Sequence, residues 1–212
     1  MNYSFKILFI GDSGSGKTSI INVSNNSDFV NLFTSTIGID FCNLNIERKG
    51  ESYELKLWDT GGHERFKFLI KSYYRNITAL VIVYDITCIK SFLSIDTIIN
   101  EYYKETGNKN TPILILGNKV DLNRQREVSH EMARAMASKY NCLFMECSAK
   151  SHFNIEQIYF NLIDYINEKI KSNQLDTTPK YGIKSLKRRG SITEFSIEDT
   201  GTLNQKTCCN IL

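Results

Sequence analysis

Short apolar runs alternate along the chain with longer segments in which apolar residues recur every three or four positions. "FKILFI" (Phe5–Ile10) reads as a buried strand. A Gly-rich turn follows it, and then a helical pattern reaches about Asn25. "IDFCNLNIE" and "YELKLWD" alternate with period two and flank "RKGE", which predicts an antiparallel hairpin. "ALVIVYD" (Ala79–Asp85) and "PILILGN" (Pro112–Asn118) are continuous runs, the pattern of central strands covered on both faces. "NCLFMEC" supplies a sixth strand, and helical patterns lie near 65–74, 92–105, 129–140 and 154–171. The last opens with Asn154 and Gln157 at capping-box spacing. Such alternation predicts a doubly wound α/β sheet that takes its ligands at the carboxyl ends of the strands. No internal repeat is present. Beyond about Asn173 the pattern weakens, so a domain is predicted over 1–172 and a flexible tail over 173–212.

Composition narrows this picture only slightly. A length of 212 residues suits one domain plus a tail, and about 170 residues bury a core without disulfides or metal. The net charge of +3 gives no global field for nucleic acid. No apolar run approaches the ~18 residues of a membrane span, and "MNYSFKILFIGDSG" does not read as a secretory signal. Cys42, Cys88, Cys142 and Cys147 are scattered at spacings no metal site uses and read as reduced thiols. His130 and His152 have no partners at metal-ligand spacing.

The chemistry lies in five short strings. "GDSGSGKT" comprises Gly11, Asp12, Ser13, Gly14, Ser15, Gly16, Lys17 and Thr18, between a predicted strand and a predicted helix. In that context backbone N–H groups turn inward around phosphate oxygens, the helix N-terminus favours anions, Lys17 reaches the β- and γ-phosphates, and Thr18 ligates Mg²⁺. "NKVD", with Asn118, Lys119 and Asp121, ends a buried strand. The Asp121 carboxylate pairs with guanine N1–H and its 2-amino group, a donor pair adenine lacks, and Lys119 lies along the base. "SAK" (Ser148, Ala149, Lys150) supplies a backbone N–H to guanine O6. In "DTGG", Asp59 holds Mg²⁺ through water and Gly62 offers its N–H to a γ-phosphate. Thr36 in "STIGIDF" is a further Mg²⁺ ligand candidate.

In their order along the chain, GDSGSGKT, Thr36, DTGG, NKVD and SAK, the strings resemble the Ras superfamily of small GTPases. "IGIDF", "KLWDT", "YYRNITALVIVYDIT", "GNKVDL" and "ECSAK" resemble the Rab family within it, over residues 4 to about 171. The resemblance implies a P-loop G domain: a six-stranded, mainly parallel sheet with one antiparallel edge hairpin strand and five helices on both faces. It implies bound GTP or GDP with Mg²⁺, a switch I over about 30–41 and a switch II over about 60–76, both held on the γ-phosphate by Thr36 and Gly62. Phe29 matches the aromatic that packs on guanine. Phe41, Trp58 and Tyr73 match a triad offered to effectors. An exchange factor, a GTPase-activating protein, a prenylation escort and a GDP-dissociation inhibitor are the implied partners.

The resemblance breaks at one catalytic position. The family's switch II reads Ala-Gly-Gln, with glutamine orienting the attacking water, and this chain has Gly61-Gly62-His63. Three readings remain open. His63 impairs hydrolysis; or neutral His63 positions water, as in translational GTPases, which resemble it here; or an activating protein of dual-finger design supplies both arginine and glutamine. Gly61 is expected to loosen the backbone beside the sensing glycine. No arginine finger is evident in cis, so intrinsic turnover is expected to be slow.

The chain ends "CCNIL". Cys208 and Cys209 resemble a double geranylgeranyl site, and "CNIL" also fits a prenylation box ending in leucine. Two lipid chains give stable attachment where one is marginal. Lys180, Lys184, Lys187, Arg188 and Arg189 add attraction to an anionic leaflet, and "RRGSI" presents Ser191 as a candidate phosphorylation site. The combined expectation is a Rab-like switch that hydrolyses GTP and regulates membrane traffic. It sits on the cytosolic face of an intracellular membrane and keeps a soluble cytosolic pool. A GTP-loaded, hydrolysis-deficient effector-binding module is the alternative. NKVD and SAK argue against a P-loop nucleotide kinase.

Overall fold

β1 (Asn2–Ile10) is the strand beside which the rest of the sheet is laid. The structure, a computed structural model, describes residues 2–25, 29, 36, 38–62, 67–175, 177 and 182–186. Among these, α1 (Lys17–Ser24) leads to β2 (Ile39–Arg48) and β3 (Glu51–Thr60), and α2 (Lys67–Tyr73) to β4 (Ala79–Asp85). Then come α3 (Ile89–Thr106), β5 (Ile113–Asn118), a 3₁₀ turn (Val120–Gln125), α4 (His130–Tyr140), β6 (Leu143–Glu146), α5 (Ile155–Lys171) and β7 (Ile183–Leu186). The order across the sheet is β2-β3-β1-β4-β5-β6, with β7 also on β1. Pairing is parallel except for β2 with β3 and β7 with β1.

Alternation along the central strands explains why both faces are covered. Phe5, Ile7, Phe9, Val81, Val83, Leu114 and Leu116 join one core, closed by Ile158, Leu162 and Ile166 of α5 and by α1. Leu8, Ile10, Leu80, Ile82, Ile113 and Ile115 join the other, closed by Phe92, Ile95, Ile99 and Tyr102 of α3. The 92-95-99-102 spacing is one helical stripe, and each such side chain contributes about 1.5–3 kcal/mol on burial. The predicted hairpin turns through Lys49 and Gly50, both at positive φ, a two-residue turn that suits the twist of its strands.

Three expectations need correction. Asn154 does precede α5, but it is left-handed (φ 59) and its side chain makes no cap hydrogen bond. Its Nδ2 instead donates to the Glu146 carbonyl at 2.9 Å, tying α5 to the end of β6. α3 starts at Ile89, a turn ahead of the expected 92, because Ser91 Oγ accepts from Asp85 N–H and bonds the Cys88 carbonyl, which closes the first turn. The described sheet has seven strands rather than six: Ile183–Leu186, within the segment read as tail, pairs with Asn2–Phe5. Four residues carry too little alternation to show as a strand. The pairing is set by the free edge of β1, nearly the whole chain away.

Candidate nucleotide site

The carboxyl ends of β1, β3, β4, β5 and β6 lie at one end of the sheet, and the phosphate loop, DTGG, NKVD and SAK hang from β1, β3, β5 and β6 there. Beyond β1 the loop wraps back on its own lysine. Lys17 Nζ donates to the Gly11 carbonyl at 2.9 Å and to that of Asp12 at 3.0 Å, holding the loop around one centre. Lys17 is buried, which pushes its pKa down to about 8 against the pull of Asp59 and Asp12. A buried ammonium whose hydrogen-bond partners among the described residues are carbonyls is poised for an anion.

Asn118 joins the phosphate loop to the base loop. Its Nδ2 donates to the Ser15 carbonyl at 2.9 Å, and its Oδ1 accepts from Ala149 N–H at 3.2 Å. Gly16 (φ 93) lies so close that a Cβ there would stand 2.2 Å from Asn118 Nδ2. Only glycine meets both demands. Asp121 Oδ1 accepts from Ser148 Oγ at 2.6 Å, and that same hydroxyl accepts from Ser151 N–H at 3.0 Å. SAK therefore fixes the rotamer of the carboxylate and leaves Asp121 Oδ2 for a ligand. The N–H of Ala149 is aimed at Asn118 Oδ1, so a base would share it. Lys150 is exposed at the rim. Phe29 is half-buried against the core of α1 and α5.

Two supports of this loop pair were not read from the sequence. Asp85, at the end of β4, pairs with Lys119 Nζ at 2.6 Å and fixes the lysine whose backbone is left-handed (φ 72). Arg126 forms a two-pronged pair with Glu146, at 2.7 and 3.0 Å, and bonds Asn123 Oδ1 and the Val128 carbonyl. It clamps the turn after NKVD to the strand before SAK. The signal for Asp85 was its place at the end of a buried strand. Nothing in the sequence singled out Arg126.

On the other side three oxygens converge. Thr18 Oγ1 donates to Asp59 Oδ2 at 2.5 Å and lies 2.7 Å from Thr36 Oγ1, which is 3.4 Å from the same carboxylate oxygen. Burial raises the pKa of Asp59, although Thr18, Lys17 and Thr36 oppose the shift. Asp59 Oδ1 and Ser15 Oγ are buried without a hydrogen-bond partner among the described residues. Two hydroxyls and a carboxylate form a hard oxygen donor set that fits Mg²⁺ and not a thiolate or imidazole metal. No cluster of three His, Cys, Asp or Glu side chains suited to a metal occurs among the described residues.

The segment after β3 closes over this centre. Gly61 N–H donates to the Gly38 carbonyl at 2.8 Å, and a Cβ on Gly61 would sit 2.4 Å from the Thr36 carbonyl. Gly61 therefore admits close approach of the Thr36 segment; here it is pinned, not loose. A Cβ on Gly62 would sit 2.3 Å from Ser13 N, so this glycine lies directly on the phosphate loop. His63, the next residue, lies outside the described residues, as do Ser191, Cys208 and Cys209 and the basic residues Lys180, Lys187, Arg188 and Arg189. The predicted triad is contiguous: Phe41 and Trp58 ring centres are 5.0 Å apart, Trp58 and Tyr73 5.1 Å, and Phe41 is exposed.

Comparison with known proteins decides the family. The family model described as Ras family matches residues 6–168. The chain is 40% identical to Ras-related protein Rab-8B of Bos taurus over 197 residues, 92% of this chain and 95% of that protein. It is 39% identical to Ras-related protein Rab-8A of Rattus norvegicus over the same shares, and 40% identical to the Homo sapiens Rab-8B. The chain is a Rab-like member of the Ras family. As a small GTPase of that family it hydrolyses GTP to GDP and phosphate. The sheet of this Rab-like GTPase is the expected mainly parallel G-domain sheet with its antiparallel pair, enlarged by β7. No helix among its described residues is long and apolar enough to cross a membrane.

Proposed function

We propose that this Rab-like GTPase is a GTP/GDP switch of intracellular membrane traffic whose two switch segments meet on the phosphate loop. The observation that carries the reading is the convergence of Thr36 and Gly62, from separate segments, on Thr18, Asp59 and Ser13. Gly11 to Thr18 cradle the phosphates, with Lys17 as the charge on the β- and γ-oxygens. Thr18 and Thr36 hold Mg²⁺ directly and Asp59 holds it through water. When bound, that ion would offset the charge on the phosphate oxygens. Asn118, Lys119, Asp121 and the SAK backbone read guanine, and Phe29 packs on it. Hydrolysis removes the γ-phosphate that Thr36 and Gly62 sense, and both segments are released.

His63 takes the position of the glutamine that orients water, and slow intrinsic hydrolysis follows. Phe41, Trp58 and Tyr73 present the face that effectors read. The G domain spans 1–172, with β7 of the following segment laid on its sheet, and residues 173–212 carry the lipid attachment at Cys208 and Cys209. The protein sits on the cytosolic face of an intracellular membrane and cycles through a soluble pool. Its partners are an exchange factor, an activating protein, a prenylation escort and a GDP-dissociation inhibitor. A second reading, a GTP-loaded effector platform that scarcely hydrolyses, is favoured by His63 alone.

Single-turnover GTP hydrolysis of the full chain, beside His63→Gln, with and without a dual-finger activating domain, separates the two. A faster His63→Gln variant, with acceleration of the natural protein by the domain, supports the switch. No hydrolysis of the natural protein under either condition supports the platform. Failure to bind GDP or GTP at all refutes both.

A further inference from the structure

One edge of β1 is shared end to end by two strands. β4 pairs with Ile7–Ile10 and β7 with Asn2–Phe5, in antiparallel register Phe5 to Ile183 and Asn2 to Leu186. At the seam between them, Lys6 N–H donates to Thr78 Oγ1 at 3.0 Å and Thr78 N–H to the Lys6 carbonyl at 2.7 Å. Gly182, which leads into β7, packs into this seam at φ 68. A Cβ there would stand 2.3 Å from the Asn76 carbonyl and 3.0 Å from Lys6 Cβ.

The seam leads to the aromatic face. The Lys6 ammonium donates to the Arg75 carbonyl at 3.2 Å and lies 5.2 Å from the Trp58 ring and 5.8 Å from the Tyr73 ring. Arg75 and Asn76 belong to the turn that follows α2, so the turn that touches the residue leading into β7 comes directly after Tyr73, the last residue of that helix. A cation over aromatic faces gains strength as water is kept away, and Gly182 covers the stem of this lysine. β7 is a short strand of four pairings on one edge of β1, and of its described side chains Ile183 is buried and Lys184 exposed. Short edge strands of this kind open before the core does.

We propose that β7 is a releasable strap whose seating on β1 sets the packing of the Trp58–Tyr73 face through Lys6 and Asn76. Seating holds Lys6 under the two rings. Tension on the chain beyond Leu186 lifts the strap and loosens the face. By linkage, a partner that binds the ordered face tightens the strap. That last step rests on the effector role proposed above; the coupling itself does not.

Trp58 is the sole tryptophan of the chain, so its emission reports the face directly. The experiment uses the full chain loaded with GDP, as wild type, Gly182→Val, Lys6→Met and the double variant. Binding of a fluorescent GDP analogue checks folding and, separately, the nucleotide reading. Gly182→Val is expected to speed amide exchange at Ser4, whose N–H faces β7 as that of Lys6 faces Thr78, by about tenfold or more and to change Trp58 emission. In the Lys6→Met background it is expected to speed exchange equally and leave emission unchanged, the signature of coupling through one residue. Fast exchange with unaltered emission in Gly182→Val overturns the proposal. So does exchange at Ser4 that is already as fast in the wild type, because the strap is then not seated. An emission change that persists in the Lys6→Met background also overturns it. If the analogue fails to bind the wild type, the nucleotide reading fails and the strap is still judged by exchange and emission.

Discussion

Replacing Asn118 by alanine removes the one side chain among the described residues that bonds both the phosphate loop and SAK. Asn118 is 2% exposed, so water does not replace what it leaves. The Ser15 carbonyl and the Ala149 N–H each lose a buried partner that now stands at 2.9 and 3.2 Å. An orphaned buried group costs about 1–3 kcal/mol. Two of them, offset by relaxation and by nucleotide already occupying the site, give an expected loss of about 2–4 kcal/mol in unfolding free energy. Part of that loss falls on the bound state, since the loops separate, and GDP release is expected to accelerate by about tenfold to a hundredfold. Asn118→Asp should be worse, because it turns a carboxylate toward the Ser15 carbonyl where a donor stood. Guanidinium unfolding at saturating GDP and release of a fluorescent GDP analogue measure the two effects. An alanine variant within about 0.5 kcal/mol of wild type, or an aspartate variant no worse than alanine, refutes the coupling of the two loops.

Other outcomes follow from the same geometry. Gly61→Ala places a methyl 2.4 Å from the Thr36 carbonyl, so it should weaken Mg²⁺-dependent GTP binding while the unfolding midpoint without nucleotide changes little. Arg126→Met breaks the clamp on Glu146, whose carboxylate is mostly buried, and should cost about 2–3 kcal/mol and speed GDP release. Burial pushes Tyr53 and Tyr103 up to about 12 from 10.0 and Cys142 to about 12 from 9.0. The unfolded chain therefore releases these protons first, so this stability is intact below about pH 9 and is lost as pH rises toward 12. Ultraviolet titration should show a late class of tyrosines whose ionisation coincides with unfolding. A Ser191→Asp variant that partitions onto anionic vesicles as wild type does would count against a phosphate switch in the tail.

The site was legible where chemistry forces residue type at fixed spacing. The phosphate loop, NKVD and SAK each sit in the context their spacing requires, so Gly16, Asn118 and Asp121 could be placed before any coordinates. What escaped was set by distant geometry. Asp85 and Arg126 act on neighbours brought close only by the order β4-β5-β6. The tightness at Gly61 depends on a carbonyl from another segment, and sequence alone suggested the reverse, a looser backbone. Ile183–Leu186 carries no strand pattern of its own, and its structure comes from an open edge on β1.

That strand also measures out rope. Counted from Leu175, the end of the α5 region, 33 residues lead to Cys208; counted from Leu186, only 22 do. Fully stretched, those lengths span about 110 and about 75 Å. If lipid is attached at Cys208, seating β7 lowers the ceiling on how far the globular body can stand from the bilayer by roughly a third. The same four pairings then decide which membrane-bound or tethered partners lie within the protein's search radius.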